Sequence, residues 1–411
     1  MKIAVIVSSF PCLSETFILN QITGLIDMGC EVRVIAFGKP DEQKQHPDVS
    51  VYRLLDKTIY IQPPKTKWGT RLKAAVQTLL AFFRHPLFVY RLQKTLLADG
   101  RSYSYPKLFI ALALLQGDSD IVHCHFGNLA LKMLPFMDMF RHAKWMTSFH
   151  GFDANSFVRE MGKDVYKGLF CKEQFYTCNT NFTRQKIVEI GCPENKIYII
   201  PESLKVNKFL MPGKRTLKES VTILTVGRMV EKKGYEYSIR AIADVYKTHK
   251  NIRYIIAGDG PLRHELHTLV EDLKLHDIVD FRGALSENEI IKLYHGSDIF
   301  LLPSVTAKNG DMEGQALVLQ EAQAAELPVI STRHNGIPDG VLDGKSGFLV
   351  NERDSKAISK HLTFLIETPQ KRLEMGSCGK AFVLDKYDTS VATDMLVKVY
   401  EDMLKDNLDR R

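Results

Sequence analysis

Hydrophobic and polar positions alternate along the chain in two rhythms. Short apolar runs bounded by polar or glycine residues fall at 3–7, 31–37, 121–126, 144–149, 175–178 and 197–201, and each reads as a buried strand. Between them lie stretches of helical spacing. Phe17, Ile18, Ile22, Leu25 and Ile26 share one helical face, and Gly29 ends the run. The pattern restarts at Val221, with strands expected at 221–226, 253–257, 279–282, 299–302 and 329–331, each followed by a helical stretch. Such alternation implies parallel sheets covered by helices on both faces. The economical reading is an α/β chain of two successive doubly wound, Rossmann-like domains, at 1–205 and 206–388. The stretch 202–218 carries Pro212, Gly213, Lys205, Lys208, Lys214 and Lys218, a solvated linker composition and a candidate hinge. A last helix over 390–404 presents Val391, Met395, Leu396, Val399, Tyr400 and Met403, within a third segment, 389–411.

The length of 411 residues supports two cores, and 45% hydrophobic with 25% charged residues is ordinary for a globular protein. The run Ile3 to Val7 is too short for a signal-peptide core, and no apolar run reaches eighteen residues, so a cytoplasmic protein that does not span a membrane is expected. Seven scattered cysteines without a Cys-x-x-Cys pair fit a reduced compartment, not a disulfide framework or a zinc site. The net charge of +7 is unevenly placed. Over 65–107, nine cations (Lys65, Lys67, Arg71, Lys73, Arg84, Arg91, Lys94, Arg101, Lys107) face one acid, Asp99, which leaves about +8. This predicts one local basic surface and no general nucleic-acid binding. Within it Leu72, Val76, Leu79 and Phe83 follow one helical face, with Leu80 and Phe82 beside it and Arg71, Lys73 and Arg84 flanking. Such a helix either lies in the interface of an anionic membrane or covers the first domain's sheet.

The chemistry concentrates in Glu313-Gly314-Gln315-Ala316-Leu317-Val318-Leu319-Gln320-Glu321-Ala322, which opens a helix after the strand at 299–302. Two carboxylates eight residues apart serve one ligand only if Glu313 lies in the loop and Glu321 inside the helix. The N–H groups near Leu317 and Val318 would then meet an anion, aided by the helix dipole. The plainer alternative is a helix-start acid and a solvated helix residue. Gly227-Arg228 and Lys233-Gly234 follow the strand at 221–226 and place two cations where a doubly wound sheet binds ligands. Gly258-Asp259-Gly260-Pro261 and Phe281-Arg282-Gly283-Ala284-Leu285 end the next two strands, with glycines that allow close backbone approach.

Taken in order and spacing, these motifs, with Asn335-Gly336-Ile337-Pro338-Asp339, resemble family 4 of the GT-B glycosyltransferases. In the first half, Phe10-Pro11-Cys12-Leu13-Ser14-Glu15-Thr16-Phe17, His123-Cys124-His125-Phe126 and Phe149-His150-Gly151-Phe152-Asp153 resemble the bacterial exopolysaccharide branch, including colanic-acid and amylovoran transferases. The resemblance implies two domains facing across a cleft, with the last helix packed back on the first. It implies a retaining, metal-independent hexosyltransferase that needs no cofactor, takes a UDP- or GDP-sugar and acts on a saccharide acceptor, commonly lipid-linked. Glu321 would hold the ribose, and Arg228 and Lys233 the diphosphate. Glu313, Gly314, Gln315, Ala316 and the N–H groups of Leu317 and Val318 would surround the transferred sugar. Gly227 and Gly258 would border the donor, and Gly283, Ala284 and Leu285 the base. His150 would stand near the anomeric carbon, the alternative being a hydrogen-bonded core or loop histidine. Ser14, Glu15 and Thr16 would shape the acceptor side.

Some residues depart from the family pattern. Glu202-Ser203-Leu204-Lys205 replaces its usual Asn-Gly-Val-Asp, and Gln315-Ala316 replaces more common residues beside the donor sugar. Asp118-Ser119-Asp120 matches an Asp-x-Asp metal motif but precedes a strand, so a turn is expected there. The competing functions are a GT-B-shaped epimerase, a phosphorylase, a non-catalytic sugar-binding module, and a transferase using a soluble or glycolipid acceptor.

Overall fold

The computed structural model describes residues 1–12, 15–40, 45–61, 66–98, 105–172, 174–213, 215–217 and 219–405. Ser14, Lys65, Arg101, Lys214 and Lys218 lie outside them. Contacts divide the chain into Met1–Cys178 with Lys186–Tyr198 and Thr393–Arg411, and Asn179–Gln185 with Ile199–Ala392.

The first unit carries β1 (Lys2–Ser9), β2 (Glu31–Gly38), β3 (Thr58–Tyr60), β4 (Ile121–His125), β5 (Lys144–Phe149), β6 (Phe175–Cys178) and β7 (Ile197–Ile199). They form one sheet in the order β3-β2-β1-β4-β5-β6-β7. The second unit carries β8 (Val221–Val226), β9 (Ile252–Ala257), β10 (Val279–Gly283), β11 (Ile299–Leu302), β12 (Val329–Thr332) and β13 (Gly347–Val350), in the order β10-β9-β8-β11-β12-β13. In both, the order reverses beside the first strand, the doubly wound pattern whose ligands sit beyond the carboxyl ends at the reversal. For the first sheet that point lies between β1 and β4, and for the second between β8 and β11.

Side chains along the second sheet leave alternately to two cores, as strand geometry requires. Ile223, Ile256 and Leu301 join Ile239, Ile242 and Leu362 on one face. Leu224, Ala257 and Leu302 join Leu319, Ala322 and Tyr387 on the other.

One expectation needs correction, and one pair of alternatives narrows. The stretch 202–218 is not wholly solvated: Leu204, Val206 and Phe209 are buried in the second core. Leu204 N–H donates to the Tyr387 carbonyl, and Thr389 N–H to that of Leu204. This ties the segment to the second unit; the chain passes between units at Cys178–Asn179, Gln185–Lys186, Tyr198–Ile199 and Ala392–Thr393. The basic helix, Lys67–Arg84, does not bury its apolar face on the sheet. Leu72, Val76, Leu79, Leu80, Phe82 and Phe83 are all exposed, Phe83 by 76%, while Ala74 on another face is buried. The last helix, Thr389–Lys405, sends Tyr400 into the first unit, against His123 of β4.

Candidate functional site

In the second unit the loops after β8 and β11 meet at the point where strand order reverses. Gly234 has φ +67°, and a Cβ there would come within 1.9 Å of the Pro303 carbonyl oxygen, so only glycine lets the loops pack. Lys233 Nζ then lies 2.5 Å from Glu313 Oε2, and Lys232 Nζ lies 3.2 Å from Asp311. Burial pushes the Glu313 carboxyl up, but Lys233 and Lys232 outweigh it and hold the group below its ordinary range. Arg228 is exposed and makes no ion pair among the described residues. A Lys ammonium has three donors, so Lys233 can serve Glu313 and an anion together.

The Glu313 peptide is clamped on both sides. Its N–H donates to His334 Nε2 at 3.0 Å, and Asn335 Nδ2 donates to its carbonyl. Because Nε2 accepts, the His334 hydrogen sits on Nδ1, which donates to Glu352 at 2.6 Å. The Glu352 carboxylate also accepts from the Thr306 N–H at 2.9 Å, so one carboxylate beyond β13 ties down the loop after β11. Burial opposes its charge, and the Thr306 and His334 hydrogen bonds hold its pKa below the ordinary carboxyl range.

Beyond this loop the helix Leu317–Ala324 begins, with Ala316 at its N-cap in the left-handed region at φ +60°. The N–H groups of Leu317 and Val318 open the helix and lack intrahelical acceptors, a ready anion site. One turn on, Glu321 accepts from the buried Tyr294 hydroxyl at 2.8 Å. Burial raises the Glu321 carboxyl to about 7, the Tyr294 hydrogen bond opposing that rise and Glu287 adding to it. Glu313 and Glu321 therefore bracket the helix start from loop and helix.

Gly227, Gly258 and Gly283 form a row at the ends of β8, β9 and β10. Gly258 N–H donates to the Gly283 carbonyl at 2.8 Å. At φ +141°, a Cβ on Gly258 would stand 1.9 Å from the Gly227 oxygen. The close approach required of this glycine is to backbone, not to a ligand. Beyond the row, Ala284 is exposed and Leu285 packs on the core. Gln315 is also engaged elsewhere: its Nε2 donates to the Glu202 carbonyl at 2.7 Å, and its Oε1 accepts the Glu202 N–H at 2.8 Å. The two departures at Gln315 and Glu202 are partners, and the amide expected beside the sugar is bound to main chain. Gly314 stays in the loop beside it.

In the first unit, His150 follows β5 and His125 ends β4. His125 Nδ1 lies 3.1 Å from His150 Nε2, and their rings stack at 5.2 Å. Phe17 and Phe126 flank the His150 ring, each 4.7 Å away. The buried Asp153 carboxylate accepts from the N–H groups of His150, Gly151 and Gly127, which fixes this turn. Of the acceptor-side residues, Glu15 is the N-cap of the helix Thr16–Asp27 and Thr16 its first residue. Asp120 accepts the Lys2 N–H, and Asp118 lies 3.5 Å from His142. Among the described residues no group of three metal-ligating side chains is found.

Tyr294, His334 and Glu352 hold candidate site residues in place and were missed by the sequence reading. Only His334 had a signal, since it immediately precedes Asn335-Gly336.

Comparison with known proteins matches two successive parts of the chain. Residues 14–206 match Glycosyltransferase Family 4, and residues 208–382 match Glycosyl transferases group 1. The chain is 32% identical over 373 residues to the putative colanic acid biosynthesis glycosyltransferase WcaL of Escherichia coli, covering 88% of this chain and 90% of that protein. It is 31% identical over 408 residues to the amylovoran biosynthesis glycosyltransferase AmsK of Erwinia amylovora, covering 98% and 99%. Among solved structures, Anabaena Alr3699/HepE in complex with UDP and glucose superposes with a TM-score of 0.68 at 15% identity, over 98% of this chain and all of that one. With relatives of this identity matched along nearly their full lengths, the chain belongs to the family 4 glycosyltransferases and has the GT-B fold.

Proposed function

We propose that the protein transfers a sugar, with retention and without metal, from a UDP- or GDP-sugar to a lipid-linked saccharide in exopolysaccharide biosynthesis. The observation that carries the donor assignment is the bracketing of one helix start by Glu313 and Glu321, with Lys233 at Glu313. Glu321 receives the ribose hydroxyls, and the N–H groups of Leu317 and Val318 receive the diphosphate. Arg228 and Lys233 neutralise the charge that grows on the leaving diphosphate as the glycosidic bond breaks, which is the electrostatic work that transfer demands. Glu313 and His150 orient the reacting sugar. The names of the relatives support the exopolysaccharide role, and the UDP-bound neighbour supports a nucleotide donor.

The membrane reading rests on the helix Lys67–Arg84. Its Trp68, Leu72, Leu79 and Phe83 are exposed, as are Leu87 and Tyr90 of the next helix, and large apolar side chains left in the open in such number mark an interaction surface. Arg71, Lys73 and Arg84 add positive charge, each worth about 1 kcal/mol at an anionic leaflet. No helix among the described residues is long and apolar enough to cross a membrane. Membrane binding is tested by flotation with vesicles of phosphatidylglycerol and phosphatidylethanolamine. Wild type should float at low salt, and a variant with Arg71, Lys73 and Arg84 changed to Glu should not. Wild type remaining at the bottom of the gradient refutes the membrane surface.

A further inference from the structure

The His123-x-His125 motif has no part in the donor site, yet strand alternation places both rings on one side of β4. They stack 4.6 Å apart, and His150 stacks on His125. We propose that His125 is a positioning residue that fixes the tautomer of His150, and that the hydroxyl of Tyr400 sets the direction of the hydrogen-bond chain that does so. This deepens the functional reading, because it rests on His150 acting at the sugar.

The chain can be followed atom by atom from its far end. Tyr400 and His123 are both buried, and the Tyr400 hydroxyl lies 2.6 Å from His123 Nδ1. A buried phenol donates its O–H to a lone pair; the reverse arrangement would leave that hydrogen without an acceptor among the described residues. His123 Nδ1 therefore accepts, and Nε2 carries the hydrogen. Nε2 lies 2.5 Å from Ser148 Oγ, which hydrogen-bonds Thr177 in turn. The Gln21 amide stands 3.3 Å from the same His123 Nδ1 and 3.4 Å from His125 Nε2. An accepting Nδ1 repels the amide oxygen, so Gln21 turns its NH2 toward both rings. His125 Nε2 is then an acceptor, and the His125 hydrogen lies on Nδ1. That hydrogen is donated across 3.1 Å to His150 Nε2. His150 consequently carries its own hydrogen on Nδ1, because the bond at one ring nitrogen dictates the state of the other.

Neutral rings at His123 and His125 are a condition of this chain, and burial supplies it. It lowers His123 to about 3, with His150 contributing, and it lowers His125 well below its ordinary value, with both neighbouring histidines contributing. His150 is thereby set to donate a hydrogen bond from Nδ1.

The test is the tautomer itself, read from long-range proton–nitrogen correlation spectra of protein labelled with ¹⁵N-histidine. Signals are assigned by His123→Gln, His125→Asn and His150→Gln variants. Wild type should show His150 and His125 protonated on Nδ1 and His123 on Nε2. Tyr400→Phe removes the hydroxyl that orders the chain, and His150 should then divide between its two tautomers. In transfer assays kcat should fall about tenfold, one hydrogen bond's worth, with the KM for donor unchanged. His125→Asn places an amide NH2 where Nδ1 stood and should keep the His150 tautomer; His125→Leu should lose it. An Nε2-protonated His150 in wild type overturns the proposal, whether or not any variant folds. So does a His150 signal that neither Tyr400→Phe nor His125→Leu alters. If His150→Ala transfers sugar at the wild-type rate, the role of His150 falls while the tautomer assignment stands, so the two failures are distinct.

Discussion

Replacing Glu321 with glutamine separates two opposite consequences of one recessed carboxylate. Burial raises this carboxyl from 4.5 to about 7. At low pH the group is protonated in folded and unfolded chains alike and contributes nothing. Between 4.5 and 7 the folded chain keeps a proton that the unfolded chain has released, so stability falls as pH rises, and above 7 the full cost is present. At about 1.4 kcal/mol per pH unit that cost is about 3 kcal/mol. Glutamine carries no charge and still offers an oxygen to Tyr294. E321Q should therefore be about 3 kcal/mol more stable than wild type at pH 8 and of equal stability at pH 4. Donor binding should move the other way. Loss of charge-assisted bonds from the ribose hydroxyls costs about 1.5–3 kcal/mol, or roughly 10- to 150-fold in Kd. The wild-type Kd for UDP or GDP should also weaken about tenfold per pH unit below 7, as the carboxylate is lost, and this slope should vanish in E321Q. Urea unfolding and calorimetric titration across this range measure both effects. An E321Q less stable than wild type at pH 8, or a wild-type Kd flat from pH 8 to 5.5, would refute the reasoning.

Other outcomes follow from the same geometry. Arg228→Ala and Lys233→Ala should each lower turnover by orders of magnitude in steady-state assays, with Arg228→Lys failing to restore it, since an ammonium cannot reproduce the bidentate guanidinium fork. Gly258→Ala should destabilise the second unit by more than about 2 kcal/mol in urea melts, because its Cβ collides with the Gly227 carbonyl. His334→Ala strands the Glu313 N–H and removes one of the hydrogen bonds to the Glu352 carboxylate, and should cost about 1–3 kcal/mol; in kinetics kcat should fall while UDP affinity, carried by Glu321, stays within about twofold. Gln315→Ala should leave donor affinity nearly unchanged, since its amide is bound to Glu202.

The sequence revealed most where a signal was local. Continuous apolar runs disclosed β8 and β11, and the Glu313-to-Glu321 spacing disclosed a loop–helix start, because burial and helix geometry act within ten residues. β3 was missed because Thr58–Tyr60 is too short to show a period. β13 escaped because Gly347–Val350 follows a glycine- and serine-rich turn that reads as loop. The His334–Glu352 pair was not legible, since the residues meet only through the pairing of β12 with β13, which sets Thr332 opposite Val350. The Gln315–Glu202 clamp joins positions 113 apart, and its two halves read separately as departures from a pattern. Leu204 and Phe209 were masked by the lysines around them, and composition averaged over the stretch concealed the residues that anchor it. The exposed face of Lys67–Arg84 was visible as amphipathic, but periodicity does not say what an apolar face meets.

The most direct test of the central claim is a thermal-shift screen of UDP-, GDP- and ADP-sugars against the full chain in EDTA. Ligand bound only by the folded protein stabilises it by about 2.7 kcal/mol at a hundred times its Kd. One nucleotide class should raise the melting temperature of wild type by several degrees, and the same ligand at the same concentration should shift E321A by no more than about half as much. If no sugar nucleotide shifts wild type, or if the shift survives intact in E321A, the donor site at the start of Leu317–Ala324 is wrong.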